Sequence, residues 1–181
     1  MALTKESQRT WLNQHKEEVI DANREIIDPH HHLWRNSGLP EYLLADLWED
    51  TESGHNITKT VFMECGAEYR RSGPEHLKVV GETEFVHQVA LDSRVEGRAE
   101  IAGIVAHADL DEDEGLLREV LQAHEVAGGG LFKGIRHGGA HDPGKNLRWG
   151  DATHHPDLFA RAGFRRGVAL LGELGYSYDS W

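Results

Sequence analysis

The sequence predicts an α/β protein built on a parallel sheet of the (β/α)8 TIM-barrel type, represented by about its first five strands. Three observations lead there. Short apolar runs alternate with helical stretches along the 181 residues, and such alternation calls for parallel strand pairing. The first apolar run, Ile26-Ile27, leads into Asp28-Pro29-His30-His31-His32 with no glycine before Gly38, which argues against the Gly-rich phosphate loop of a doubly wound sheet. Each predicted strand then ends in polar or titratable side chains, as strands do where their carboxyl ends surround a barrel's active site.

The elements follow in order. Thr4 to Val19 reads as a helix on the outside of the molecule, with few apolar residues (Trp11, Leu12, Val19). Residues 1–24 thus form a helical extension ahead of a barrel part at 25–181. Glu25 to Asp28 is the first strand. Pro40 to Asp50 is helical, with Leu43, Leu44, Leu47 and Trp48 at helical spacing. The β-branched and apolar run Thr58 to Cys65 is the second strand. Pro74 opens a helix to about Val95, since proline fits a first helical turn. Ala99 to Ala106 is the third strand. Asp111 to Val126 is a helix with acids in its first turn, favourable to the helix dipole. Gly128-Gly129-Gly130 turns the chain into a fourth strand, Leu131 to Arg136. A polar loop from His137 to Thr153, helical stretches at Pro156 to Ala162 and Phe164 to Leu174, and a fifth strand-like segment from Gly175 to Trp181 complete the pattern. A full barrel takes about 250 residues. The expectation is therefore an incomplete barrel whose remaining strands lie beyond Trp181.

The formal net charge is −12, with 31 acidic against 19 basic residues. That excludes the basic stripes of nucleic-acid binders and of proteins that bind anionic membranes. Cys65 is the single cysteine, so neither an intrachain disulfide nor a thiolate metal cage can form. No apolar run reaches the ~18 residues of a transmembrane helix. The expectation is a cytoplasmic protein with a small-molecule substrate.

The chemistry concentrates after the first strand. Strand side chains alternate faces, so His30 and His32 point one way and His31 the other. Their Cβ atoms then lie roughly 6–7 Å apart, and both imidazoles can converge on one divalent metal such as Zn. The second strand delivers Glu64 and Cys65, the third His107 and Asp109, the fourth Arg136 and His137, and the fifth Tyr178, Asp179 and Trp181. Each has a plainer reading. Asp109 can cap the following helix. Glu64 can pair with Arg70 or Arg71. Arg136, a donor fork suited to a carboxylate or carbonyl, can form a salt bridge across the rim. Cys65 has no adjacent base and reads as a small hydrophobe. His141, His154 and His155 sit in the long loop, where solvated histidines are common.

The segment Ile26-Ile27-Asp28-Pro29-His30-His31-His32-Leu33-Trp34 resembles the start of the TIM-barrel amidohydrolase superfamily. It is most similar to the amidohydrolase 2 branch of predicted metal-dependent hydrolases, which contains sugar-lactone and pyrone-dicarboxylate lactonases. Thr60 to Cys65, Gly81 to Val86, Ile104 to Leu110, Phe132 to His137 and Phe164 to Gly167 are similar to that branch as well. The resemblance runs from Trp11 to Trp181. It implies that His30 and His32 are metal ligands and that Arg136 holds substrate, with Glu64 and His107 at substrate-facing strand ends. It implies hydrolysis of a lactone, or a related ester or amide, of a sugar acid or organic acid, with the general base contributed beyond Trp181, so that the 181 residues by themselves are expected to be inactive or impaired. Some lactonases of the branch work without a bound metal. Two alternatives stand beside hydrolysis: metal-dependent decarboxylation on the same fold, and a non-enzymatic half-barrel that self-associates as a homo-oligomer.

Overall fold

The structure, a computed structural model, describes residues 4–15, 17–37, 39–141 and 156–180. Five strands, β1 (Glu25–His31), β2 (Asn56–Met63), β3 (Glu100–His107), β4 (Phe132–Arg136) and β5 (Ser177–Asp179), form one sheet in sequence order. Every adjacent pair is parallel. The sheet curls into a half-barrel and alternates with helices. These are α1 (Lys5–Leu12), α2 (Leu44–Thr51), α3 (Val80–Asp92), α4 (Glu114–Gly128) and α5 (Ala162–Leu174). The register aligns His31 with Phe62, Phe62 with Ile104, and Ile104 with Phe132. Phe62, Ile104 and Phe132 belong to the buried core, which also holds Val86, Leu117, Leu121 and Leu171 from the helices. Burying each such side chain contributes about 1.5–3 kcal/mol. Further along the strands Met63 aligns with Val105 and, past a register shift between β3 and β4, His107 aligns with Arg136.

Several boundaries differ from the sequence reading. The first helix stops at Leu12 rather than Val19. No α1 residue is buried, Trp11 and Leu12 are 69% and 60% exposed, and packing of an apolar face is what normally sustains a short helix. Ion pairs from Lys5 to Asp46 and from Arg9 to Glu49 hold it against α2. The helix expected from Pro74 is split into a single 3-10 turn at Glu75–Leu77 and then α3. The Lys78 carbonyl is taken by the Arg70 N–H, so the incoming loop interrupts the ladder. Pro156 to Ala162 yields only a 3-10 turn at Leu158–Ala160. Asp109 does not cap α4. Its carboxylate accepts the Asp111 N–H, and Asp113 is the N-cap. Gly128–Gly130 makes the turn into β4, with Gly129 left-handed. His154, His155, Trp181 and most of the loop after His141 lie outside the described residues.

Candidate functional site

At the carboxyl end of β1, the His30 and His32 rings meet edge to face with centroids 4.8 Å apart. Their Nε2 atoms are 3.1 Å apart. The His32 Nδ1 lies 2.8 Å from the Met63 carbonyl. A carbonyl only accepts, so this nitrogen carries the proton and the neutral ring offers a lone pair at Nε2. The His30 Nε2–H then donates to it. Burial holds the His32 imidazole below its ordinary pKa, against the Met63 carbonyl; nearby His30 and Arg136 lower it further and Glu64 raises it. The ring is thus kept in the neutral form that ligates metals. The Asp28 carboxylate accepts the His30 backbone N–H and steadies the strand end.

A divalent metal fits this pair. Two nitrogens at ~2.0–2.1 Å from one ion, about 100° apart, stand about 3.1 Å from each other. The carbonyl on the far nitrogen of His32 is the kind of partner that fixes a ligating histidine. Among the described residues, no group of three or more His, Cys, Asp or Glu side chains is arranged to hold a metal. The pair would therefore supply two protein ligands.

His31 points away from the pair. It is 7% exposed and meets Phe62 edge-on. Neither ring nitrogen has a hydrogen-bond partner. Burial pushes its pKa down to about 4, with the Asp28 carboxylate pulling the other way. A cleft of about 290 Å³ beside β1 is lined by Asp28, the three histidines, Trp34 and Tyr42.

Arg136 is 6% exposed at the end of β4. Its Nε donates to the Asp179 carboxylate at 2.5 Å, so the salt bridge expected as the plainer reading is formed, with β5. None of the described residues accepts from its η nitrogens, which leaves that edge of the fork for a ligand. Glu64 is half-buried just past β2, and its backbone N–H donates to the Val105 carbonyl. Arg70 pairs with Glu84, not Glu64. Arg136 and Glu64 both act electrostatically on His32.

His107 is set apart from it. Its Nδ1 donates to the Arg136 carbonyl, and its ring meets His137 edge-on. It lines a separate cavity of about 90 Å³ with His76, Asp109 and Glu112. Cys65 is exposed at the loop after β2. Its thiol is directed at the Leu33 carbonyl, and partial burial, with Glu82 beside it, pushes its pKa up to about 12.

Two buried groups near the site were not singled out by sequence. Glu82, 1% exposed on α3, accepts the Cys65 and Ala67 N–H groups. His124, fully buried on α4, bridges the Thr83 hydroxyl at Nδ1 and the His107 carbonyl at Nε2. The signal for Glu82 was present: Glu82, Val86 and Ala90 share one face of α3 by helical spacing, and an acid on an apolar face needs a buried partner.

No protein-family model, curated protein or solved structure matches the chain. No described helix is long and apolar enough to cross a membrane.

Proposed function

We propose that the chain is part of a (β/α)8 barrel hydrolase of the amidohydrolase type, opening a lactone or cleaving a related ester or amide of a small organic or sugar acid. The observation that carries this reading is the 3.1 Å separation of the His30 and His32 Nε2 atoms at a strand end beside Arg136. His30 and His32 would hold a divalent metal, which when bound polarises the scissile carbonyl and lowers the pKa of a water toward ~7. The chain's own residues prepare the rest. The Met63 carbonyl holds the His32 tautomer. Asp179 fixes the Arg136 fork, whose outer nitrogens match a carboxylate or carbonyl in plane. Glu64 places negative charge near His32 and favours a cation there.

The test is a panel of five- and six-membered sugar-acid and dicarboxylate lactones assayed with Zn²⁺ present, on a complete barrel protein that carries this chain and on its His30→Ala and His32→Ala variants. The expected result is hydrolysis by wild type, lost in both variants, with Arg136→Met raising KM more than it lowers kcat. Absence of turnover on every lactone, or turnover unchanged by both histidine substitutions, would sink the reading.

A further inference from the structure

The loop that leaves β2 is folded around a single carboxyl group. The Glu82 Oε1 accepts the Cys65 N–H at 3.0 Å and the Ala67 N–H at 2.7 Å. The same loop passes so close over the start of α3 that a Cβ on Gly81 would lie 2.5 Å from the Glu68 carbonyl oxygen. Glu68 itself adopts a left-handed backbone with φ +53, tied down by Arg35. That conformation is uncommon for a residue other than glycine. Glu64 stands immediately before this clamped segment, so whatever holds the loop places Glu64.

The second oxygen of Glu82 is the unusual atom. Oε2 is buried and has no hydrogen-bond partner. As a carboxylate, Glu82 would carry charge on a buried oxygen that accepts no hydrogen bond from the described residues, and such burial is costly. As an acid, it puts the proton on Oε2 and keeps Oε1 as the acceptor of both amides, so the loop contacts survive protonation. The groups facing it are Glu64 at the end of β2 and the Cys65 thiol and Tyr69 hydroxyl of the loop. On α4, the neighbouring His124 is engaged by Thr83. Glu64 is the one permanent charge in that set, and it is of the same sign.

We propose that Glu82 is the positioning residue for Glu64: its carboxyl holds the β2 loop, and the proton on its second oxygen decides how closely the Glu64 carboxylate can approach. With the proton in place, Glu64 can rest against the loop. With it gone, like charge drives Glu64 outward, toward the histidines. Burial is the largest influence on Glu82 and raises its pKa to about 7; the two amides oppose burial and Glu64 adds to it. The exchange thus falls in the neutral range. The site role of Glu64 rests on the reading above, but the coupling between the two acids does not, and the test uses neither metal nor substrate.

The measurement is the pH dependence of the Cys65 and Ala67 backbone amides in ¹⁵N–¹H spectra of the whole chain from pH 5 to 9. Both amides are expected to titrate with one shared midpoint near 7 in wild type. In Glu82→Gln they should stay hydrogen-bonded and stop titrating. In Glu64→Gln they should titrate with a lower midpoint. Should Glu82→Gln fail to fold, Glu64→Gln carries the test alone, because it leaves Glu82 intact. Amides that stay flat in wild type, or a midpoint that Glu64→Gln does not lower, overturn the proposal.

Discussion

Lowering the pH from 7.5 to 4.5 is expected to cost the fold about 5 kcal/mol through His31 and His124, of which Glu82 returns roughly half. Both are buried and neutral in the native state, and burial sets each pKa at about 4. In the unfolded chain each returns to about 6.5. Between those two values the unfolded chain binds protons that the native fold refuses, so stability is complete above pH 6.5 and falls as pH drops toward 4. The depression is worth roughly 3 kcal/mol per histidine at about 1.4 kcal/mol per unit, large beside the 5–15 kcal/mol of a typical domain. Glu82 acts in the opposite sense over part of that range. Its folded pKa, about 7, lies above the unfolded value, so its stabilising proton is present at low pH and lost as pH rises through 7. Urea unfolding of wild type and His31→Leu at pH 7.5 and 4.5 measures this directly. His31→Leu should lose much of the pH slope. It should also be no less stable at pH 7.5, because it removes two buried nitrogens that lack partners. An unchanged slope would show that His31 is not held neutral.

The second large effect comes from adding a single methyl group. A Cβ on Gly167 of α5 would lie 2.2 Å from the Leu110 carbonyl oxygen and 3.0 Å from the Leu110 Cα. Both obstacles are backbone, so neither can swing aside, and α5 must lift from the segment that follows β3. Overpacking of a close contact typically costs 1–3 kcal/mol, occasionally more, and a backbone obstacle places Gly167→Ala at or above about 3. The better helix propensity of alanine returns only about 1 kcal/mol. Gly172, in the same helix, supplies the control: a Cβ there meets nothing within 4 Å. Chemical denaturation should show Gly167→Ala strongly destabilised and Gly172→Ala neutral or up to about 1 kcal/mol more stable. Equal shifts in the two variants would mean that α5 does not approach Leu110 so closely.

The parts legible in the sequence are those set by local pattern. The apolar runs around Ile26, Val61, Ile104 and Ile135 each became a parallel strand, because β-branched and apolar stretches bounded by turn residues have few other ways to be buried. The alternation that places His30 beside His32 and sends His31 to Phe62 follows from strand geometry alone. What stayed hidden depends on contacts between distant segments. The break before α3 arises because the Arg70 N–H takes the Lys78 carbonyl. His107 turns to the Arg136 carbonyl rather than to the histidine pair, a choice fixed by the neighbouring strand. The early end of α1 goes with Trp11 and Leu12 staying largely exposed at the edge of a cleft beside Trp34 and Tyr42. Asp179 could be placed at a strand end, but its hold on Arg136 needed the β4–β5 register.

The most direct check on the histidine pair is X-ray absorption at the zinc edge on the full chain loaded with one equivalent of Zn²⁺. Two imidazole nitrogens should appear in the coordination shell at ~2.0–2.1 Å, and that imidazole signal should vanish in the His30→Ala/His32→Ala double variant. A spectrum without imidazole, or one identical in the double variant, would contradict the convergence of these two side chains on a single ion.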